Sequence, residues 1–326
     1  MIDDIEAAAR RLDGHAVRTP LLNAPLLDEE VGRRVFVKAE CLQKTGSFKY
    51  RGGRNAVALL NTDERARGVI AFSSGNHAQG VALAAREMGA SAVIVMPSDA
   101  PFQKIENTRN LGAEVVLYDR ETEDRDEIGA HLAAHKGLNL IKPFDDRRVI
   151  AGQGTCGLEI AEQASSAGVE SAEVLICCGG GGLTSGISLA LAAHAPGLTP
   201  RPVEPEGFDD VARSLAAGAI QANNRRSGSL CDAIITPSPG EITFPIMAAH
   251  CGAGIVVTED EALRAMAVAF TRLKIVLEPG GAVALAAALF HREDDADVIA
   301  VASGGNVDAS VFRMALERYG QGEREC

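Results

Sequence analysis

Four short stretches carry residue types that do chemistry in combination. Gly179-Gly180-Gly181-Gly182-Leu183-Thr184-Ser185 follows the apolar run VLICC and opens a helix-like stretch. Four glycines remove every Cβ from a turn, so backbone N–H groups can approach an anion closely. The helix start that follows adds unpaired donors and a favourable dipole, which together read as a phosphate site. A second stretch, Thr45-Gly46-Ser47-Phe48-Lys49-Tyr50-Arg51-Gly52, places a lysine between two aromatic rings and beside a cation. A desolvated lysine near a positive neighbour has a lowered pKa and attacks carbonyl carbons. The third, Ser73-Ser74-Gly75-Asn76-His77-Ala78-Gln79-Gly80, again joins a strand to a helix. Its hydroxyls and amide suit a carboxylate that must be oriented as well as neutralised. The His77 side chain reads as a first-turn surface group, not as a general base. The fourth, Ser303-Gly304-Gly305-Asn306, ends an apolar run. A hydroxyl there can hydrogen-bond a heteroaromatic nitrogen without protonating it.

The elements that must position these stretches are short apolar strands alternating with longer helices. Residues 35–39, 69–72, 92–96, 114–117, 174–178, 202–204 and 298–302 read as strands. Residues 51–60, 77–88, 103–110, 152–164, 185–194 and 259–272 read as helices, the last with Thr258 and Glu261 as a capping box. Alternation with near-continuous apolar strands predicts parallel sheet covered by helices on both faces.

The chain has 326 residues, enough for about two domains. A net charge of −12 argues against a nucleic-acid binder working through a basic surface. No run of 18 apolar residues and no apolar leader is visible, so neither a membrane span nor secretion is expected. Seven cysteines without a CxxC pair fit reduced thiols better than disulfides or zinc. The P-loop pattern is absent, which argues against nucleotide hydrolysis of that type. The dinucleotide fingerprint fails at its sixth position, Thr184 or Ser185, although Glu204 stands where a ribose-binding acid would.

In this order, the four stretches resemble the fold type II family of pyridoxal-phosphate enzymes, nearest its threonine/serine dehydratase and serine racemase branch. The resemblance runs from about Thr19 to Asp308 and includes Ala151-Gly152-Gln153-Gly154-Thr155 and Glu278-Pro279-Gly280-Gly281. It implies an α/β fold like that of tryptophan synthase β. A large parallel-sheet domain (residues 1–66 and 146–326) would carry a smaller inserted α/β domain (67–145). It also implies roles. Lys49 would be the Schiff-base lysine and the acid/base at Cα, with Phe48 packed near the cofactor ring. Asn76 would bond the cofactor's phenolic oxygen. Gly179, Gly180, Gly181, Gly182 and Leu183 would hold its phosphate, and Ser303 would face its ring nitrogen. Gly240 and Glu278 would complete the cofactor site. Ser73, Ser74, Gly75, Asn76 and His77 would bind the substrate carboxylate. Ser74 would also serve as a second acid/base, opposite Lys49. Glu204, Asp210 and the Phe208 carbonyl resemble a divalent-cation site, an oxygen set suited to Mg²⁺ or Ca²⁺. Lys142-Pro143-Phe144 departs from the usual His-Pro, and Pro237-Ser238-Pro239-Gly240 is a proline-rich form of the glycine loop over the cofactor face.

Dehydration of L-threonine or L-serine to a 2-keto acid and ammonia is the expected reaction. Racemisation, or dehydration of a related β-hydroxy amino acid such as 3-hydroxyaspartate, is the alternative. A nicotinamide dehydrogenase using the glycine loop is the third reading. The resemblance further implies a homodimer acting on a small amino acid; the cysteines, the acidic charge and the lack of an apolar span lead us to expect a cytoplasmic chain without nucleic-acid or membrane partners.

Overall fold

The computed structural model describes residues 1–320 except 74, 101, 120, 121, 124, 292 and 293. Ten strands are seen among them. In chain order they are β1 (Leu21–Leu22), β2 (Val35–Lys38), β3 (Val69–Phe72), β4 (Ala92–Pro97) and β5 (Glu114–Tyr118). There follow β6 (Asn139–Leu140), β7 (Ala172–Cys177), β8 (Leu198–Pro205), β9 (Ile255–Val257) and β10 (Val298–Val301). They form two sheets. Six strands lie in the order β1-β2-β10-β7-β8-β9, parallel except for β1. Four lie in the order β5-β4-β3-β6, all parallel. Every strand of the second sheet comes from residues 69–140, between β2 and β7 of the first.

The first sheet is buried on both faces. Val35 and Val37 of β2, with Val298 and Ala300 of β10, join one hydrophobic cluster that includes Leu263 and Val283. Phe36, Ile299 and Val301 point the other way, into a cluster with Ile160 and Ile187. This two-residue alternation between two apolar layers is why the strands read as unbroken apolar runs. The second sheet repeats the pattern, with Val69, Ala71 and Ile94 on one side and Ile70, Val93 and Val95 on the other.

Several elements depart from the expected bounds. β8 runs eight residues through Pro200, Pro202 and Pro205. It pairs with β9 only from Val203 onward, so its first prolines lie where one edge is open and no N–H is needed. The helix from Glu259 ends at Val268 and continues as a wider π turn over Ala269–Leu273. The capping box of Thr258 and Glu261 is present. The helix read over 152–164 extends over Arg147–Ser166, capped by Asp146. No described helix is long and apolar enough to cross a membrane. Six of the seven cysteines lie among the described residues and all are free thiols; Cys326 lies outside them.

Candidate active site

Lys49 opens the helix Lys49–Ala58. The segment before it is laced onto the turn after β10. Phe48 N–H donates to Ser303 O (3.1 Å), Gly305 N–H donates to Gly46 O (2.9 Å), and Ser47 bridges Gly304. The approach is close enough to need glycine, since a Cβ on Gly46 would lie 2.5 Å from Asn306 Oδ1. Two of the four stretches thus form one unit. Helix-to-helix contact brings in the third, because a Cβ on Gly80 would meet the Lys49 carbonyl carbon at 3.0 Å.

A side-chain chain continues through the unit. Asn306 Nδ2 donates to Thr45 O and to Asn76 Oδ1, both at 2.7 Å. Asn76 Nδ2 donates to Glu278 Oε1 at 2.5 Å. Burial pushes the Glu278 carboxyl up to about 7, against the Asn76 bond that favours its ionised form. Gly304 is held against that same carboxylate, where a Cβ would sit 2.1 Å from Oε1.

The Lys49 side chain is half-buried. Its Nζ donates to Pro143 O (2.9 Å) and stands 5.1 Å from the Phe48 ring centre. Burial lowers its pKa to about 8, with Glu278 opposing the shift. Of the two causes expected from the sequence, desolvation and a cationic neighbour, desolvation is the one that lowers it. The ring of His77, read as a surface group, is only 2% exposed. It bonds Ile141 O through Nε2 (2.8 Å), and burial pushes its pKa down to about 3.

The glycine loop follows β7 and opens the helix Gly182–His194. Gly181 takes φ +89°, which favours glycine. A Cβ on Gly180 would lie 2.4 Å from the Phe144 ring, and one on Gly182 would lie 3.0 Å from Phe144 Cβ. The buried Thr184 hydroxyl has no hydrogen-bond partner beyond a weak contact with the Cys178 thiol. Gly240 is fastened to this loop. Its N–H donates to Thr243 Oγ1 (2.9 Å), and that hydroxyl donates to Gly180 O (2.6 Å). Leu183, in the first turn of that helix, and Ser303, where the chain leaves β10, are buried, 3% and 4% exposed.

At the third stretch, Ser73 Oγ accepts from Gly75 N–H (3.2 Å), and the helix Asn76–Glu87 begins there. Ser74 lies outside the described residues. The Glu204 carboxylate accepts from the N–H groups of Val211 and Ala212 (3.0 and 2.7 Å). Asp210 Oδ1 accepts from Asn223 (2.5 Å), while its buried Oδ2 has no partner. Burial raises Glu204 well above the usual range and Asp210 to about 6. The Phe208 ring is buried under the Arg225 guanidinium, 5.4 Å away. No group of three or more His, Cys, Asp or Glu is placed to hold a metal among the described residues.

The arrangement brings a half-buried, weakly basic amine, an amide-lined anion cradle and a hydroxyl at a strand end to one place. A family model described as "Pyridoxal-phosphate dependent enzyme" matches residues 12–306. The chain belongs to that family. The residues present fit the cofactor of such pyridoxal-phosphate dependent enzymes. The cradle has no room for a Cβ, and its buried Thr184 hydroxyl is short of partners. An L-threo-3-hydroxyaspartate ammonia-lyase of Pseudomonas sp is 42% identical, matched over 96% of this chain and 98% of that one. A serine racemase of Schizosaccharomyces pombe is 36% identical over 97% and 95% of the two chains. A solved threonine deaminase from T.th. superposes with a TM-score of 0.89 at 44% identity, covering 94% of this chain and 98% of that one. The fold is therefore that of the fold type II enzymes of this family.

What sequence reasoning missed is the stretch 141–145, noted only for its departure at Lys142-Pro143-Phe144. Its contacts to Lys49 and His77 are made by main-chain carbonyls. No residue type announces those.

Proposed function

We propose that the chain is a dehydratase that removes water from L-threonine or L-serine, yielding a 2-keto acid and ammonia. The observation that carries this reading is the half-buried Lys49 amine, held on the Pro143 carbonyl at the meeting of the four stretches and lowered by desolvation to about 8. Bound pyridoxal phosphate supplies the electron-withdrawing ring that acidifies the substrate Cα–H. The chain's own residues supply the rest. The amides of residues 73–77 hold the substrate carboxylate, and the loop from Gly179 to Leu183 holds the phosphate. Ser303 offers the ring nitrogen a hydroxyl in place of a carboxylate. Phe48 would pack by the ring and Asn76 would bond its phenolic oxygen, with Glu278 and Gly240 bordering the site. Lys49, once free, takes the Cα proton and passes a proton to the leaving hydroxyl.

A second reading, dehydration of 3-hydroxyaspartate, is supported by the relative of that activity at 42% identity. Racemisation is supported by the serine racemases among the relatives and would use Ser74 opposite Lys49. A panel of L-threonine, L-serine and L-threo-3-hydroxyaspartate, assayed for keto acid and for the opposite enantiomer, separates the three. Keto acid from none of them would overturn the dehydratase reading. So would absence of a visible cofactor band that Lys49→Ala removes. Ser74→Ala should abolish racemisation while sparing elimination.

We further propose that residues 67–145 form a small domain set into the large domain of 1–66 and 146–326. The confinement of the second sheet to residues 69–140 supports this. The chain is read as a cytoplasmic homodimer, tested by its mass in solution. A divalent cation at Glu204, Asp210 and the Phe208 carbonyl is supported by the partnerless Asp210 Oδ2 and by two carboxylates short of counter-charge. Added Mg²⁺ should raise Tm, and EDTA should reverse the gain.

A further inference from the structure

Four residues of the stretch 141–145 each touch a different part of the site. Ile141 O accepts from the His77 ring at 2.8 Å. Pro143 O accepts from the Lys49 amine at 2.9 Å. The Phe144 ring lies against Gly180, and its backbone lies against Gly182. Asp145 Oδ1 accepts from Ile242 N–H (2.8 Å) and occupies the place a Cβ of Gly240 would take. The stretch is also where the chain leaves the second sheet. Ile141 N–H still donates to Ile70 O of β3 (2.9 Å), and Asp146 already caps the helix Arg147–Ser166.

The chemistry of the His77 contact is one-sided. A carbonyl can only accept, so Nε2 carries the proton and Nδ1 is a bare lone pair. That Nδ1 is buried with no partner. An unpaired buried acceptor is a net cost to the fold. For stability alone an apolar side chain of similar volume would serve as well. The ring is neutral, so the bond does not change with pH in the working range.

We propose that His77 is a positioning residue that acts through this strap. Its single N–H bond fixes the Ile141 carbonyl, and so keeps the Pro143 carbonyl two residues on within reach of the Lys49 amine. The start of the helix Asn76–Glu87, where the substrate carboxylate is read to bind, is thereby tied to the lysine on the other helix. The inference rests on the functional reading only for the identity of Lys49 as the Schiff-base residue.

The test compares His77→Leu, which loses the donor, with His77→Gln, which keeps an N–H at similar reach. Pyridoxal phosphate is added to the ligand-free protein and growth of the visible band is timed. His77→Leu should capture the cofactor about tenfold more slowly, and kcat of the holoenzyme should fall about a hundredfold. His77→Gln should recover most of both. Cofactor affinity measured in a Lys49→Ala background should be the same with either residue at 77, because the phosphate cradle is untouched. Hydrogen exchange at the amides of residues 141, 142, 144 and 145 should be about tenfold faster in His77→Leu than in the wild type. Capture and exchange at wild-type rates in His77→Leu, or no recovery in His77→Gln, would overturn the proposal. A wild type without a Lys49-dependent band would overturn the functional reading instead, and the exchange rates would still judge the strap.

Discussion

At the scale of residues, the amine of Lys49 is kept poor in protons by its surroundings. Exposed lysine nitrogen is nucleophilic only near about pH 10.4, whereas here burial brings the midpoint to about 8. Capture of pyridoxal phosphate by the ligand-free chain should therefore rise with pH up to about 8 and level off. A rate still climbing toward pH 10 would contradict the burial. Glu278 is the opposite case. Its carboxyl is raised from 4.5 to about 7 by burial, so the folded chain prefers the protonated form. The associated stability is present below about pH 4.5 and is lost as pH rises through 7. Glu278→Gln stays neutral throughout. In the ligand-free chain it should match wild-type Tm at pH 4.5 and exceed it by about 5 °C at pH 8. Lys49, Asn76 and Ser303 stood out in the sequence because their side-chain types suggest a chemistry, and the structure brings their stretches together. The His77 ring did not stand out, since burial is a property of the helix on which it sits, not of the letter.

At the scale of elements, the helix that carries Lys49 is anchored from below by charge. Arg51 is 1% exposed and makes two bonds each to Glu40 and Glu159. Lys38 at the end of β2 reaches the same Glu159 (2.5 Å). Burial alone would raise the Glu40 pKa, but the Arg51 charge and bonds hold it below the usual carboxylate range. Arg51→Leu leaves that carboxylate buried with the Thr19 hydroxyl bond but without its guanidinium, which should cost about 3 kcal/mol in urea unfolding. Replacing Glu40 by Leu as well should recover part of the loss. The glycine loop has a steric counterpart. Gly180→Ala would drive a methyl into the Phe144 ring. We expect a cofactor affinity lowered at least about tenfold, partly restored by Phe144→Ala, and little change in secondary structure. The loop itself was legible, because four consecutive glycines have few other uses. Its lid was not, because nothing local links Phe144 to Gly180.

At the scale of the whole molecule, alternating strands and helices announced parallel sheet, which both sheets show. The bounds were less legible. Prolines hid the first half of β8, and a π turn ended a helix that periodicity would have continued. Both outcomes depend on neighbours that no window of sequence contains. The strand order also has a temporal side. β2, which leads to the lysine, takes its parallel partner β10 from residues 298–301, while residues 69–140 form their own sheet. A chain emerging from the ribosome can therefore finish its middle before its beginning. A truncation ending at residue 297 should show the segment 69–140 resisting protease while residues 1–60 are cut. The lysine we propose for the chemistry would be among the first residues translated and the last to find its place.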